Sequence, residues 1–180
     1  MKKFILVISL VGLVSNFTRA QELETVEAKY RGKPIIQMTL NDKKTWVLLD
    51  TGSEYTVLDS EAKKKYGFFV SHSNDGSINV SGLGSANNGL KEVTRAELKF
   101  GNVKLKGQSY AYDLSTVAKS IQLRTGKRIT AIIGTHMMRS YGFVIDMRDS
   151  TATMYVKTKK KKKQSDFYSE EMVIAKNAKK

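Results

Sequence analysis

The sequence predicts a mostly β protein, a small closed β-barrel with two or three short helices. Short apolar runs alternate with polar residues at period two and are separated by turns rich in Gly, Asn, Asp and Ser. Helical patterning is confined to brief stretches that begin at Ser, Thr or Asp and stop at Gly. No βαβ rhythm, phosphate-loop glycine pattern or internal repeat interrupts the series. With 180 residues, 41% of them apolar, the chain can bury one modest core. Closing a sheet on itself buries one face of many short strands and removes their edges.

Taken in order, Ile36, Met38 and Leu40 alternate with Gln37 and Thr39, as a half-buried strand does. Asn41-Asp42-Lys43-Lys44 is a turn, and residues 45–49 return as the second strand of a hairpin. After a sharp turn at 50–53 comes another strand at 55–58. Asp59 or Ser60 can cap a short helix that reaches Tyr66 and ends at Gly67. Residues 68–70 are a brief strand, followed by a long hairpin whose tip lies near Gly82, Leu83, Gly84 and Ser85. From Val93, the alternation of Thr94, Ala96, Leu98 and Phe100 against Arg95, Glu97 and Lys99 reads as an unbroken strand. Gly101-Asn102 fits a two-residue hairpin turn, with Val103 and Leu105 on the return and a further strand at 108–114. Residues 115–125 pattern as a helix, with Val117 and Ile121 on one face and Gly126 as its stop. Residues 129–133 are a fully apolar strand, Thr135 can cap a helical turn, and Gly142 can end it. Residues 143–156 close the body as a hairpin around Arg148-Asp149-Ser150.

The flanks differ from this body. Residues 1–20 combine Lys2 and Lys3, an apolar stretch at 4–14 and the small residues of Thr18-Arg19-Ala20, the layout of a cleavable signal peptide. A secreted or periplasmic protein is therefore expected, with a mature domain over 21–156. Residues 157–180 form a Lys-rich tail, expected to be solvated. Of the net charge of +14, the first 20 residues hold +3 and the tail +6. The basic character thus belongs to the flanks more than to the domain. Weak contact of the tail with anionic surfaces fits this charge. No aromatic residues interleave its lysines, so no specific nucleic-acid partner is expected. The absence of Cys excludes disulfides, thiol catalysis and Cys-based zinc sites, and two His make a His-rich metal site unsuitable.

One short stretch carries the chemistry. The apolar run 46–49 delivers Asp50 to the end of a buried strand, where a carboxylate needs hydrogen bonds to hold its charge. Gly52 lets a backbone N–H approach it, the Ser53 hydroxyl can donate to its outer oxygen, and the Thr51 hydroxyl can lock the turn. Asp50-Thr51-Gly52-Ser53 resembles the signature of aspartic proteases. The Gly-rich hairpin some 30 residues on, "SGLGSANNG", is similar to their flap. The strand and helix of "AIIGTHMMRSYGFVID", with Ile132, Ile133 and Gly134 beneath the loop, are similar to the support of the active site in retropepsin-like members.

The resemblance spans roughly residues 35–156 and implies a protease using two aspartates with a water between them, one as general base and the other as proton donor. No metal or organic cofactor is implied. This chain has one such signature: Arg124 stands where a second one would need Asp, and neither Asp146 nor Asp149 is followed by the right residues. The resemblance therefore implies a homodimer in which Asp50 meets its copy on a two-fold axis, with Thr51 bracing the two loops and the flap closing over a peptide or protein substrate. After Gly134 the chain has Thr135-His136 where retroviral relatives often carry Arg-Asn or Arg-Asp. Ser53 beside the dyad leads us to expect an acid-shifted pH optimum. The competing readings are an inactive barrel of the same shape that binds peptides, and an envelope-associated interaction module that works through the tail.

Overall fold

The computed structural model describes residues 23–72, 77–82 and 85–157. The predicted signal peptide, residues 158–180 of the tail, and Leu83 and Gly84 at the hairpin tip lie outside these. The body is mostly β, as the sequence predicts. Strands β1 (Leu23–Lys29), β12 (Phe143–Asp146) and β13 (Thr151–Lys157) form a three-stranded antiparallel sheet with β13 in the middle. The remaining strands form a ten-stranded sheet. They are β2 (Ile35–Leu40), β3 (Lys43–Leu49), β4 (Thr56–Asp59), β5 (Phe69–Val70), β6 (Ile78–Gly82), β7 (Ser85–Thr94), β8 (Leu98–Phe100), β9 (Val103–Leu105), β10 (Ser109–Tyr112) and β11 (Ile129–Ile133). Their order is β5-β7-β10-β4-β11-β3-β2-β8-β9, with β6 on β7. Among the described residues no ladder joins β5 to β9, so the hydrogen-bonded ring is open there. Three helices, α1 (Lys63–Tyr66), α2 (Ser115–Thr125) and α3 (Thr135–Ser140), sit between strands.

Local chemistry explains the turns. Asn41 and Asp42 both have positive φ, 48° and 60°, the conformation of a two-residue hairpin loop that Asn and Asp tolerate well. Asp59 caps the 3₁₀ turn before α1 by accepting from the Glu61 N–H, and Gly67 ends α1 with a φ of 75°. Gly101 turns β8 into β9 at a φ of 57°, where a Cβ would lie 2.9 Å from the Val26 side chain. In the last hairpin the N–H groups of Arg148 and Asp149 donate to Asp146 Oδ1 at 2.8 and 2.9 Å.

Two features depart from the sequence reading. The alternation from Val93 to Phe100 is not one strand, because β7 ends at Thr94, Arg95 adopts a φ of 55°, and β8 starts at Leu98. The cause is Asn41. Its Nδ2 donates to the carbonyls of Tyr66 and Arg95 at 2.8 and 2.9 Å, and its Oδ1 accepts from the Glu97 N–H at 2.7 Å. Three backbone groups that a continuous strand would direct elsewhere are satisfied by one side chain. Removing it leaves them unpaired, so Asn41→Ala should cost about 1–3 kcal/mol. Urea unfolding measures this, and Asn41→Gly, which eases the positive φ, should recover only a minor part. The second departure is α3. Gly134 holds the N-cap position with no side-chain cap, and Thr135 is the first helical residue.

The central strands are buried on both faces. All five residues of β11 and all four of β4 are buried. Strand β11 runs parallel to β3, with Leu48 opposite Ile132 and Leu49 opposite Ile133, and antiparallel to β4. Strand β4 in turn runs parallel to β10. On one side, Val47, Leu49, Leu58, Ala131 and Ile133 join the larger core cluster. On the other, Val57, Leu90, Ile129 and Ile132 join a smaller one packed against Trp46, Leu48 and α2. That smaller cluster leads to the site described below.

Asp59 is a buried carboxylate in this framework. Burial raises its pKa above the ordinary carboxylate value, against the lowering effect of the Glu61 and Leu114 N–H groups and of Arg128, whose Nη2 is 4.0 Å from Oδ2. A carboxyl whose folded-state pKa is raised binds its proton more tightly when folded. Its contribution is fully present below the unfolded pKa, near 4, and is lost as pH rises through the folded value. Asp59→Asn keeps an oxygen for both N–H groups and carries no charge. Its melting temperature relative to the parent should therefore rise between acidic and neutral pH, which thermal scans at several pH values would read directly.

Candidate active site

Strand β3 stays in its ladder to Leu49, and the Asp50 N–H is the last to be held, donating to the Ile133 carbonyl at 3.0 Å. The chain then folds back, and the Ser53 N–H donates to the Asp50 carbonyl at 3.1 Å. This turn brings the Gly52 N–H to 2.9 Å from Asp50 Oδ1. A Cβ on Gly52 would sit 3.3 Å from that same oxygen, so a bare glycine suits the approach. Asp50 is half-buried, while Thr51 and Gly52 are exposed. The apolar strand therefore brings the carboxylate to the surface of the single chain and does not seal it from water.

The Ser53 hydroxyl does not meet Asp50. It donates to the Tyr55 carbonyl at 2.9 Å and stabilises the exit of the turn. The proposed route from Ser53 to an acid-shifted pH optimum is thus missing in the single chain. The Thr51 hydroxyl makes no hydrogen bond among the described residues.

The floor of the loop comes from the far end of the sequence. Gly134 follows Ile132 and Ile133 out of β11, and the backbone of residues 54 and 55 lies directly against it. A Cβ there would be 2.4 Å from the Tyr55 carbonyl oxygen and 2.6 Å from the Glu54 carbonyl. The first N–H groups of α3 have no partner within the helix. They donate into the loop instead, Thr135 to the Ser53 carbonyl at 2.8 Å and His136 to the Glu54 carbonyl at 3.2 Å. Above the backbone, His136 Nε2 lies 3.1 Å from Glu54 Oε1, and the Tyr55 ring meets the rings of Tyr110 and His136 edge-on, each at 5.5 Å between centroids.

A cavity of about 520 Å³ opens in front of Asp50. Its walls are the loop residues Gly52, Ser53, Glu54 and Tyr55, its apolar floor is Val57, Leu90 and Ile132, and its third side is Asn79, Val80 and Ser81 of β6. Gly82 and Ser85 pair at the end of the β6–β7 hairpin, whose residues 79–81 line the cavity that holds Asp50, and Leu83 and Gly84 lie outside the described residues. The structure therefore brings together Asp50, Thr51, Gly52, Ser53, Ile132, Ile133 and Gly134. It adds Glu54, Tyr55 and His136, which sequence reasoning did not place at the site. Their roles depend on a contact across some 80 residues, and nothing local in the sequence signals it. Leu90 was within reach, since a buried leucine at the base of a Gly-rich hairpin must face something apolar.

A model of the aspartyl protease family matches residues 36–137, more than half of the chain. No curated protein matches the sequence. Among solved structures, a retropepsin-like aspartic protease from Rickettsia conorii is similar over 76% of this chain and 94% of its own, at 14% identity and a TM-score of 0.47. The EIAV protease complexed with the inhibitor HBY-793 is similar over 63% of this chain and 93% of its own, at 17% identity and a TM-score of 0.41.

Proposed function

The chain belongs to the aspartyl protease family, and from that premise we propose that it is an endopeptidase working as a homodimer, with Asp50 of each copy contributing one half of the catalytic pair. The observation that carries this reading is the placement of Asp50. It is a lone aspartate at the mouth of a peptide-sized cavity, with Oδ1 held by the Gly52 N–H and Oδ2 without a hydrogen-bond donor among the described residues. The exposed Thr51-Gly52 edge leaves the carboxylate accessible to a second copy related by a two-fold axis.

In the assembled pair, two carboxylates close together cannot both ionise cheaply, so they share one proton and titrate as a unit. The ionised member takes a proton from the water between them as that water attacks the scissile carbonyl carbon. The protonated member donates to the carbonyl oxygen, and the resulting tetrahedral adduct collapses with the proton passed to the leaving nitrogen. Gly52 fixes the direction of each carboxylate, and the β6–β7 hairpin closes over the peptide and limits water.

Digestion of a peptide library over a range of protein concentrations tests the assembly. Turnover per chain should fall as the protein is diluted below its dimerisation constant, with the oligomeric state followed in parallel by sedimentation. Constant specific activity in a fully monomeric sample would refute the shared site. Peptide binding without cleavage at any concentration would favour the inactive barrel instead.

A further inference from the structure

A second cavity is larger than the one at Asp50. A groove of about 630 Å³ lies between α1, the segment around β5, and strands β7 and β10. Its charged rim is mostly of one sign, with Lys63, Lys64 and Lys91 against a single carboxylate, Asp113. Its apolar part includes Phe69, a large aromatic side chain that is 54% exposed, and the neighbouring Val70. The Arg95 guanidinium rests 4.8 Å from the centre of the Phe69 ring and adds a further positive charge beside it.

Strand β7 separates this groove from the catalytic cavity. Successive side chains of a strand point to opposite faces. Leu90 faces the Asp50 cavity, whereas its neighbours Gly89 and Lys91 line the groove. The absence of a side chain at Gly89 lets an occupant approach the backbone of the strand that carries the flap. Lysine stems cover apolar surface while their ammonium groups stay in water, so the rim offers attraction to anions without a deep desolvation cost.

We propose that this groove is a second peptide-binding site, one that takes an acidic segment bearing an aromatic or large aliphatic side chain. Carboxylates of the segment meet Lys63, Lys64 and Lys91, and its apolar side chain lies on Phe69. The site is independent of Asp50 and recruits acidic stretches of a protein outside the scissile region.

The test is fluorescence anisotropy with a labelled peptide of four glutamates around one phenylalanine, on the full chain carrying Asp50→Asn so that the probe is not cut. Binding should weaken by about tenfold or more in the triple variant Lys63→Glu, Lys64→Glu, Lys91→Glu, and similarly when the glutamates of the probe are replaced by glutamine, as the loss of several exposed charge contacts implies. Phe69→Ala, at an exposed position, should weaken binding without lowering the melting temperature. The tail is the rival acceptor for an acidic peptide, so a variant with glutamine at residues 159–163 is included and should keep its affinity. Unchanged binding by the triple variant, or loss of binding in the tail variant, overturns the proposal. A chain that binds the probe but never cleaves a peptide as wild type would instead refute the catalytic reading and leave the groove standing.

Discussion

Gly134→Ala is expected to destabilise the fold by about 1–3 kcal/mol and to abolish activity, because the added methyl group has nowhere to go. The backbone at Gly134 has φ of −90° and ψ of 174°, which alanine adopts freely, so no conformational penalty enters. The cost is steric. The neighbours at 2.4 and 2.6 Å are the carbonyl groups of Tyr55 and Glu54, backbone atoms that cannot rotate aside as the end of a side chain can. Relief requires moving residues 53–55 away from β11, which breaks the bonds from Thr135 to Ser53 and from His136 to Glu54. Thermal melts should show a drop of several degrees, at roughly 2–4 °C per kcal/mol for a chain of this size. Peptide cleavage should vanish even at temperatures where the variant is folded. A variant that melts and cleaves like the parent would mean that the loop does not rest on this glycine.

Asp50→Asn should leave stability within about 0.5 kcal/mol and reduce turnover by a factor on the order of 10³ or more. The amide oxygen still accepts from the Gly52 N–H, so the turn keeps its geometry. The lost property is the exchange of a proton with the attacking water. Because the proposed site needs an aspartate from each copy, mixing matters as much as the single variant. Adding excess Asp50→Asn chain to a fixed amount of wild type should suppress activity, since most wild-type copies then pair with an inactive one. Additive behaviour, in which the variant neither helps nor harms, would show that each chain works alone.

Much of this molecule was legible where the determinants are local. The β2–β3 hairpin follows from alternation and from Asn41-Asp42, and Gly67, Gly101 and Gly126 each end or turn an element at positive φ. The Asp50 turn follows from its own residues, since the Gly52 N–H reaches the carboxylate two positions back. What could not be read depends on distant partners. Arg95 looks like a strand residue, yet Asn41, more than 50 positions earlier, takes the hydrogen bonds there. Strands β3 and β11 pair in parallel, and no periodicity announces which apolar runs become neighbours. Ser53 could donate to either of two nearby oxygens, and its choice of the Tyr55 carbonyl is a matter of geometry beyond residue type. Glu54 and His136 meet only because α3 starts at the loop that Gly134 supports.

The crossing of the Asp50 loop by β11 and α3 also bears on when the candidate site can first form. Residues 50–53 leave the ribosome early, but the groups that hold them, Ile133, Gly134, Thr135 and His136, are made more than 75 residues later. Contacts of such long sequence separation form slowly, because a large loop must close before any of them is gained. A growing chain therefore carries its signature residues for nearly half of its synthesis without the scaffold that orients them. The Asp50 turn can thus be fully braced only after His136 has been made.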